Sequence, residues 1–360
     1  MNTSLQGTTY RMILIIIGGW LLYIGGSILQ PLVFACLLAA FMSPLDDFFG
    51  RKIKQPGITI SLSFIAILIP IILIGFLFSI QILSIIDSLP TIGNDLEAGF
   101  DKALYSLNKA LPFIKLNSEE LLSDSTNNLL DGPLNVMGQG LVSSSEILVG
   151  FGLTFLYTFF LLLYRKSFKN FIIFQFEKKN RKDTRETLDS IKKMVQSYMS
   201  GLGLVILILT ILNTIGLLCI GVDYAIFWGA LGGLLAVIPY VGTALGGFLP
   251  FIYSFATTES IVQPILVLVF YAIIQQIEGN FITPKVIGDK VNINPLFAIM
   301  SLVFFGSFWG IAGVILALPL ISIIRIILEQ IDETKPIALL MSSDIAQNYE
   351  RFKKIAQSIN

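Results

Sequence analysis

One carboxylate, Glu278, closes an apolar run from Pro264 to Ile274 and stands among Gln275, Gln276 and Asn280. On a helix, Tyr271, Gln275 and Glu278 fall at i, i+4 and i+7, and therefore on one face. Acids and amides at the end of a membrane-length run are costly in lipid, so they face protein or water. The chemistry they offer is reversible protonation or cation coordination. A carboxyl whose hydration differs between two states can take up a proton in one and release it in the other. Gly279 weakens the helix that carries this stripe, and Pro284 lacks the N–H that would continue it. The sequence thus predicts a polar stripe leading to a broken helix end, a backbone tolerated at membrane depth only beside protein or a water-filled cavity. Lys285 and Arg325 are the candidate charge partners. With either one, Glu278 would instead be a member of a structural ion pair, and Arg325 also reads as an anchor snorkelling at a helix end.

The composition sets the surroundings of that stripe. The 360 residues are 54% hydrophobic and 13% charged, against about 25% charged in soluble domains. With a mean hydropathy of +0.80, the chain reads as an all-α integral membrane protein. The 24 basic and 24 acidic residues cancel, which argues against a nucleic-acid partner. There is no histidine, so Ser-His-Asp and Cys-His catalysis and the HExxH zinc helix are excluded. No Gly-x-Ser-x-Gly elbow or pair of intramembrane aspartates supports an intramembrane enzyme, and no metal or cofactor is expected. Cys36 and Cys219 lie in apolar runs and read as packed membrane residues.

The elements follow from the apolar runs, each judged against the roughly 20 residues a spanning helix needs. Residues 1–86 hold three transmembrane helices. Met12–Leu29, read as an uncleaved anchor, and Leu32–Leu45 form a tight pair divided at Gln30-Pro31. After a loop with Arg51, Lys52 and Lys54 comes Ile58–Ile86, with a kink at Pro70. Residues 87–140 form a polar insert with three lysines and eight acids, read as a small extracytoplasmic helical subdomain. Residues 141–164 are the fourth span. Residues 165–197 carry ten basic residues against four acids, interleaved with Phe168, Phe171 and Phe176. Beside a membrane span this pattern marks an amphipathic segment on anionic lipid, placed at 165–193. Residues 198–330 form a C-terminal transmembrane core that begins with the span Tyr198–Ile220, and residues 331–360 are a cytoplasmic tail.

The basic loops go to the cytoplasm by the positive-inside rule, which puts both termini there and the acidic insert outside. About eight spans result.

The C-terminal core has its own punctuation. Gly229/Gly233, Gly242/Gly246 and Gly306/Gly310 are pairs four residues apart, and Pro239 and Pro319 end the two stretches that hold them. Such glycines serve close helix packing. Two Gly/Pro-interrupted segments in comparable contexts are also the mark of discontinuous transporter helices. Pro239, Gly242, Gly279, Pro284, Gly310, Gly313 and Pro319 are the candidate helix-break or gating positions.

Ile238-Pro239-Tyr240-Val241-Gly242, the stretch Gln276–Lys285, Gly288, Asn294-Pro295-Leu296, Gly310-Ile311-Ala312-Gly313 and Ala317-Leu318-Pro319-Leu320 together resemble the AI-2E family of bacterial transporters, the autoinducer-2 exporter-like permeases. The order of spans, the polar insert and the basic loop also fit. The resemblance implies a multi-pass protein of the bacterial inner membrane, homo-oligomeric, that exports a small polar signalling molecule such as autoinducer-2. Sodium(lithium)/proton antiport, described for some members, is the alternative. Asn294 stands where the family pattern carries a histidine, so any mechanism that needs that imidazole is not available here. A transport pathway lined by Tyr271, Gln275, Gln276, Glu278 and Asn280 is the leading expectation. A membrane scaffold or regulator without transport is the reading from another class.

Overall fold

The computed structural model describes residue 13 and residues 17–110, 144–238, 241–258, 260–288 and 291–343. The 111–140 portion of the polar insert, Pro239, Tyr240 and the last part of the C-terminal tail lie outside the described residues. Among the described residues every regular element is helical and no strand occurs.

The helices are α1 (Gly26–Gly50), α2 (Pro56–Ala110), α3 (Ser144–Leu163), α4 (Arg165–Phe174), α5 (Arg181–Ile220), α6 (Ala225–Leu235), α7 (Val241–Thr257), α8 (Val262–Ile277), α9 (Pro295–Glu329) and α10 (Lys335–Met341). Five stretches are long and apolar enough to cross a membrane: α1, the Pro56–Ile82 part of α2, Lys178–Ile220, Val262–Ile287 and α9. A sixth arises if α3 and α4, which meet at a 71° bend, are taken as one bent span. The count covers the described residues alone, which leave out most of the residues before 17; among them the 11-residue α6 is well short of the roughly 20 residues a span needs.

Several expected boundaries move. The chain does not divide at Gln30-Pro31, because α1 runs through both Pro31 and Pro44. The break falls at Gly25, where a Cβ would lie 2.8 Å from the Leu21 carbonyl oxygen, so only glycine fits the turn. The insert does not begin as a separate helix either, since α2 is continuous over 55 residues. At 1.5 Å per residue it is about 80 Å long, far more than the hydrocarbon thickness of about 30 Å. The basic segment 165–197 is likewise not a separate loop: α4 ends at Phe174, and α5 carries Arg181 to Ser197 straight into the apolar run. Cys36 and Cys219 are both exposed on the protein surface rather than packed inside it.

The chain forms two compact units. The first comprises Met1–Ile65, Leu148–Gly201 and Ile287–Asn360; the second comprises Ala66–Ile147 and Leu202–Val286.

The first unit is tied together by polar contacts at the basic ends of its helices. Asp46 is buried and accepts a hydrogen bond from Thr59 Oγ1 at 2.6 Å, while Arg165 Nη2 stands 3.2 Å from Asp46 and 2.8 Å from Asp47. Gln196 Nε2 donates to the Ala40 carbonyl at 3.0 Å and to Ser43 Oγ at 2.8 Å. In the same unit α9 is not a straight rod. Trp309 and Gly310 leave helical geometry, Gly310 with φ +58° and ψ −140°. A Cβ on Gly313 would fall 1.9 Å from the Phe305 carbonyl oxygen, whereas eight residues of straight helix would separate them by about 12 Å. The chain therefore doubles back at Gly310, a conformation that L side chains rarely adopt. Its tip is held by Trp309 Nε1, which donates to the Leu22 carbonyl at 3.1 Å.

Asn294 caps the first turn of α9 by accepting from the Phe297 N–H at 3.0 Å, and its Nδ2 donates to the Leu340 carbonyl at 2.6 Å. Asn294 is thus a structural fastener between α9 and α10.

The second unit is built on a second helical hairpin, α6–α7. Gly246 packs against Gly232, where an added Cβ would come within 2.9 Å of the Gly232 Cα, and a Cβ at Gly242 would meet the Leu235 carbonyl oxygen at 1.6 Å. Gly229 and Gly233 face Thr214 and Thr210 of α5 equally closely, the tight helix packing that paired small residues permit. A core of Leu217, Phe227, Trp228, Tyr253 and Val267 fills the space where α5, α6, α7 and α8 meet. Gln263 ties its end: its Nε2 donates to the Gly221 carbonyl at 2.7 Å, and its Oε1 accepts from Ser254 and Thr258.

Candidate functional site

The site is built on α8, whose apolar body runs from Val262 to Ile277. Past Ile277 the helix neither ends nor breaks, in contrast to the sequence expectation. It widens into two π-helical turns, Glu278–Ile282 and Pro284–Gly288. The diagnostic bond is Thr283 N–H to the Glu278 carbonyl, an i→i−5 contact. The reason lies in Pro284. In a tight α-turn its ring would strike the Asn280 carbonyl and leave it without a donor. The wider turn moves that carbonyl away and keeps the chain helical. Gly279 has open space around it and no positive φ, so it does not terminate the helix.

The structure brings Tyr271, Gln275 and Glu278 to one small cavity, with Leu209 and Asn213 from α5, Gly232 from α6 and Thr243 from α7. The cavity holds about 10 Å³, space for about one water. Two of its polar atoms, Asn213 Oδ1 and the Tyr271 hydroxyl, are buried and have no hydrogen-bond partner among the described residues. Such orphans are expensive, on the order of 1–3 kcal/mol each, and in native proteins they call for a water, an ion or a functional role. The hairpin glycines determine where the phenol lies. The Tyr271 ring packs on Gly247, and a Cβ at Gly232 would stand 3.2 Å from its hydroxyl.

Gln276 and Asn280 do not join this cluster. Asn280 Nδ2 donates to the Gln276 carbonyl at 2.9 Å and to its Oε1 at 3.1 Å, and both residues are exposed on another side of the helix. Arg325 is paired with Glu329 at 3.2 Å within α9. Among the described residues, no ion pair joins Glu278 to Lys285 or to any other cation. Pro319 lies inside the returning arm of α9 and Gly310 and Gly313 form its turn, while Pro239 falls outside the described residues.

Sequence reasoning missed Asn213. Its signal was a lone amide in the middle of the apolar run Tyr198–Ile220, an intramembrane polar residue that lipid would penalise. Among the described residues, no group of three His, Cys, Asp or Glu side chains is placed to hold a metal ion.

Residues 11–333 match the sequence pattern of the AI-2E family transporter. The chain is 35% identical over 129 residues to YueF of Bacillus subtilis (strain 168), named as a candidate transport protein; the match covers 36% of this chain and 34% of that one. It is 22% identical over 322 residues, 89% of each chain, to the similarly named YhhT of Escherichia coli (strain K12). It is 32% identical over 126 residues to the AI-2 transport protein TqsA of the same organism, covering 35% of this chain and 36% of TqsA. The matched stretch thus spans about a third of YueF and of TqsA, and nearly the whole of YhhT. With a family match over nearly its full length and several apolar helices of membrane-spanning size, the chain belongs to the AI-2E transporter family, a family of multi-pass membrane permeases.

Proposed function

We propose that this protein carries a small polar solute across the bacterial cytoplasmic membrane, and that the Asn213–Tyr271–Gln275–Glu278 cluster is the polar station on its path. The observation that carries this reading is the convergence of a carboxylate with two orphaned polar atoms in an otherwise apolar helical unit. Lipid and packing both select against such a group unless something binds there. Export of a signalling molecule like autoinducer-2, the cargo named for TqsA, is the favoured form. Gln276 and Asn280 would line the path in a second conformation. Gly242, Gly279, Gly310, Gly313, Pro239, Pro284 and Pro319 would supply its movable backbone.

A second reading is favoured by one dimension. Room for about one water suits a proton or a bare cation better than a whole metabolite. The oxygens of Asn213, Tyr271, Gln275 and Glu278 are also the hard donors that sodium or lithium prefers. Proton- or cation-coupled transport, including sodium(lithium)/proton antiport, is therefore the alternative.

In this reading both termini and residues 165–193 face the cytoplasm and anionic lipid, and the polar insert faces outward. The functional assembly is a homo-oligomer of about eight membrane passes per chain, counting short re-entrant arms. The test is flux into liposomes that hold the purified chain, under imposed proton and sodium gradients, with a panel of polar solutes. Solute movement in no condition, with ion movement driven by either gradient, selects antiport. Movement of neither, from correctly folded protein, removes transport and leaves the scaffold reading.

A further inference from the structure

A further cavity lies within the first unit. It holds about 470 Å³ between α1, the end of α3, α4 and the first turns of α5. Four cations edge it: Arg165, Lys166, Lys169 and Lys192. Two of these are already neutralised, Arg165 by Asp46 and Asp47 and Lys169 by Asp189 at 2.6 Å. Lys166 and Lys192 have no ion pair among the described residues, and four cations against the three carboxylates Asp46, Asp47 and Asp189 leave the cavity rim a net charge of +1. Ala39, Leu161, Leu162 and Leu188 give the chamber an apolar wall.

The ligand that matches is anionic at one end and greasy at the other. Free phosphate would use the lysines and leave the aliphatic wall uncovered. A fatty chain alone would leave the ammonium groups unanswered. A second observation points to the bilayer as the source: Phe168, Phe171, Phe174 and Phe176, on and just after α4, are all exposed beside these lysines, the arrangement of a segment seated at a lipid interface. Basic pockets between membrane helices hold anionic lipid headgroups by the same electrostatics.

We infer that this chamber is a binding site for one anionic phospholipid, its phosphate held between Lys166 and Lys192 and the start of its acyl chains against Leu161 and Leu188. This rests on the reading of residues 165–193 as facing anionic lipid and narrows it from a surface to a single chamber. It does not depend on which solute the protein moves.

The full chain in neutral detergent, titrated with phosphatidylglycerol and followed by native mass spectrometry, tests it. Wild type retains one phosphatidylglycerol in preference to phosphatidylcholine. Lys166→Gln with Lys192→Gln weakens retention roughly 30-fold, and Lys166→Gln alone, at an exposed position that does not threaten folding, weakens it about fivefold. Lys52→Gln with Lys54→Gln, an equal loss of charge outside the chamber, leaves retention unchanged. Equal losses in the two double variants would leave a charged surface and no chamber. Absence of any preference for phosphatidylglycerol would remove both the chamber and the lipid-facing surface. Displacement of the lipid by glycerol 3-phosphate at equal concentration would make this a site for soluble organophosphates. Each of these three results overturns the inference.

Discussion

The phenol ring of Tyr271 lies directly on the backbone of Gly247, where an added Cβ would fall 2.8 Å from the ring's Cγ. That contact fixes how far α7 stands from α8, and so sets the position of the hydroxyl beside Gly232. Gly247→Ala should therefore push the ring out of place. Overpacking of this kind costs about 1–3 kcal/mol. The expected outcome is a lower unfolding temperature in detergent together with reduced flux in liposomes. An unchanged flux would separate Tyr271 from the transport path.

Gly279 predicts the opposite behaviour. Nothing lies within 4 Å of the place its side chain would occupy, and the neighbouring residues hold helical dihedrals. Gly279→Ala should be neutral or stabilising by up to about 1 kcal/mol. If folding is unharmed and flux nevertheless falls, the glycine is needed for a movement that this conformation does not contain. Thermal unfolding and flux measured on the same preparation distinguish the two.

The outline of the site could be read from the sequence because helical spacing alone places Tyr271, Gln275 and Glu278 on one face. Asn213 could not be assigned to it, since its neighbours come from α6, α7 and α8 and are chosen by tertiary packing. The expected break at Gly279 and Pro284 failed for a local reason: a π-turn accommodates proline without ending the helix. Pro31 misled in the same way, because the true break uses the missing Cβ of Gly25. Pairs of glycines four apart did mark the close approaches of α6 to α5 and α7. The fold-back at Gly310 needs a left-handed dihedral that composition can permit but not announce.

That fold-back yields a stability prediction. At φ +58° and ψ −140° a side chain is strained, so Gly310→Ala should cost on the order of 1–3 kcal/mol. Trp309→Phe removes the indole bond to the Leu22 carbonyl, about 1 kcal/mol, together with part of a buried ring. Thermal unfolding in detergent checks both variants; full stability of Gly310→Ala would contradict the hairpin geometry.

Asn294 should behave as a structural fastener between α9 and α10. Asn294→Ala removes both its cap on α9 and its bond to Leu340, an expected loss of about 1–2 kcal/mol. Hydrogen exchange should quicken in α10, with flux per folded molecule preserved.

Outside the membrane helices, Asp332 carries a pH prediction. Its hydrogen bond from Lys335 at 2.5 Å, reinforced by the ammonium charge, holds the carboxyl below the usual value of 3.8. The contact favours the charged form, so it is intact at neutral pH and is lost only as the pH falls through that lowered value. A carbon-13 titration of the Asp332 carboxyl should have its midpoint below 3.8, and Lys335→Gln should move it upward. A midpoint at or above the usual value would mean that the pair does not form in solution.

The central claim is that Glu278 and its neighbours are a station for the transported species. It is tested most directly by comparing flux in liposomes between wild type, Glu278→Gln and Asn213→Leu, with Glu329→Gln as a control acid outside the cluster. The account predicts that the first two variants fold and lose most of their flux, that Glu278→Gln also loses its response to an imposed proton gradient, and that Glu329→Gln keeps both. Full flux with an unaltered gradient response in folded Glu278→Gln would contradict it.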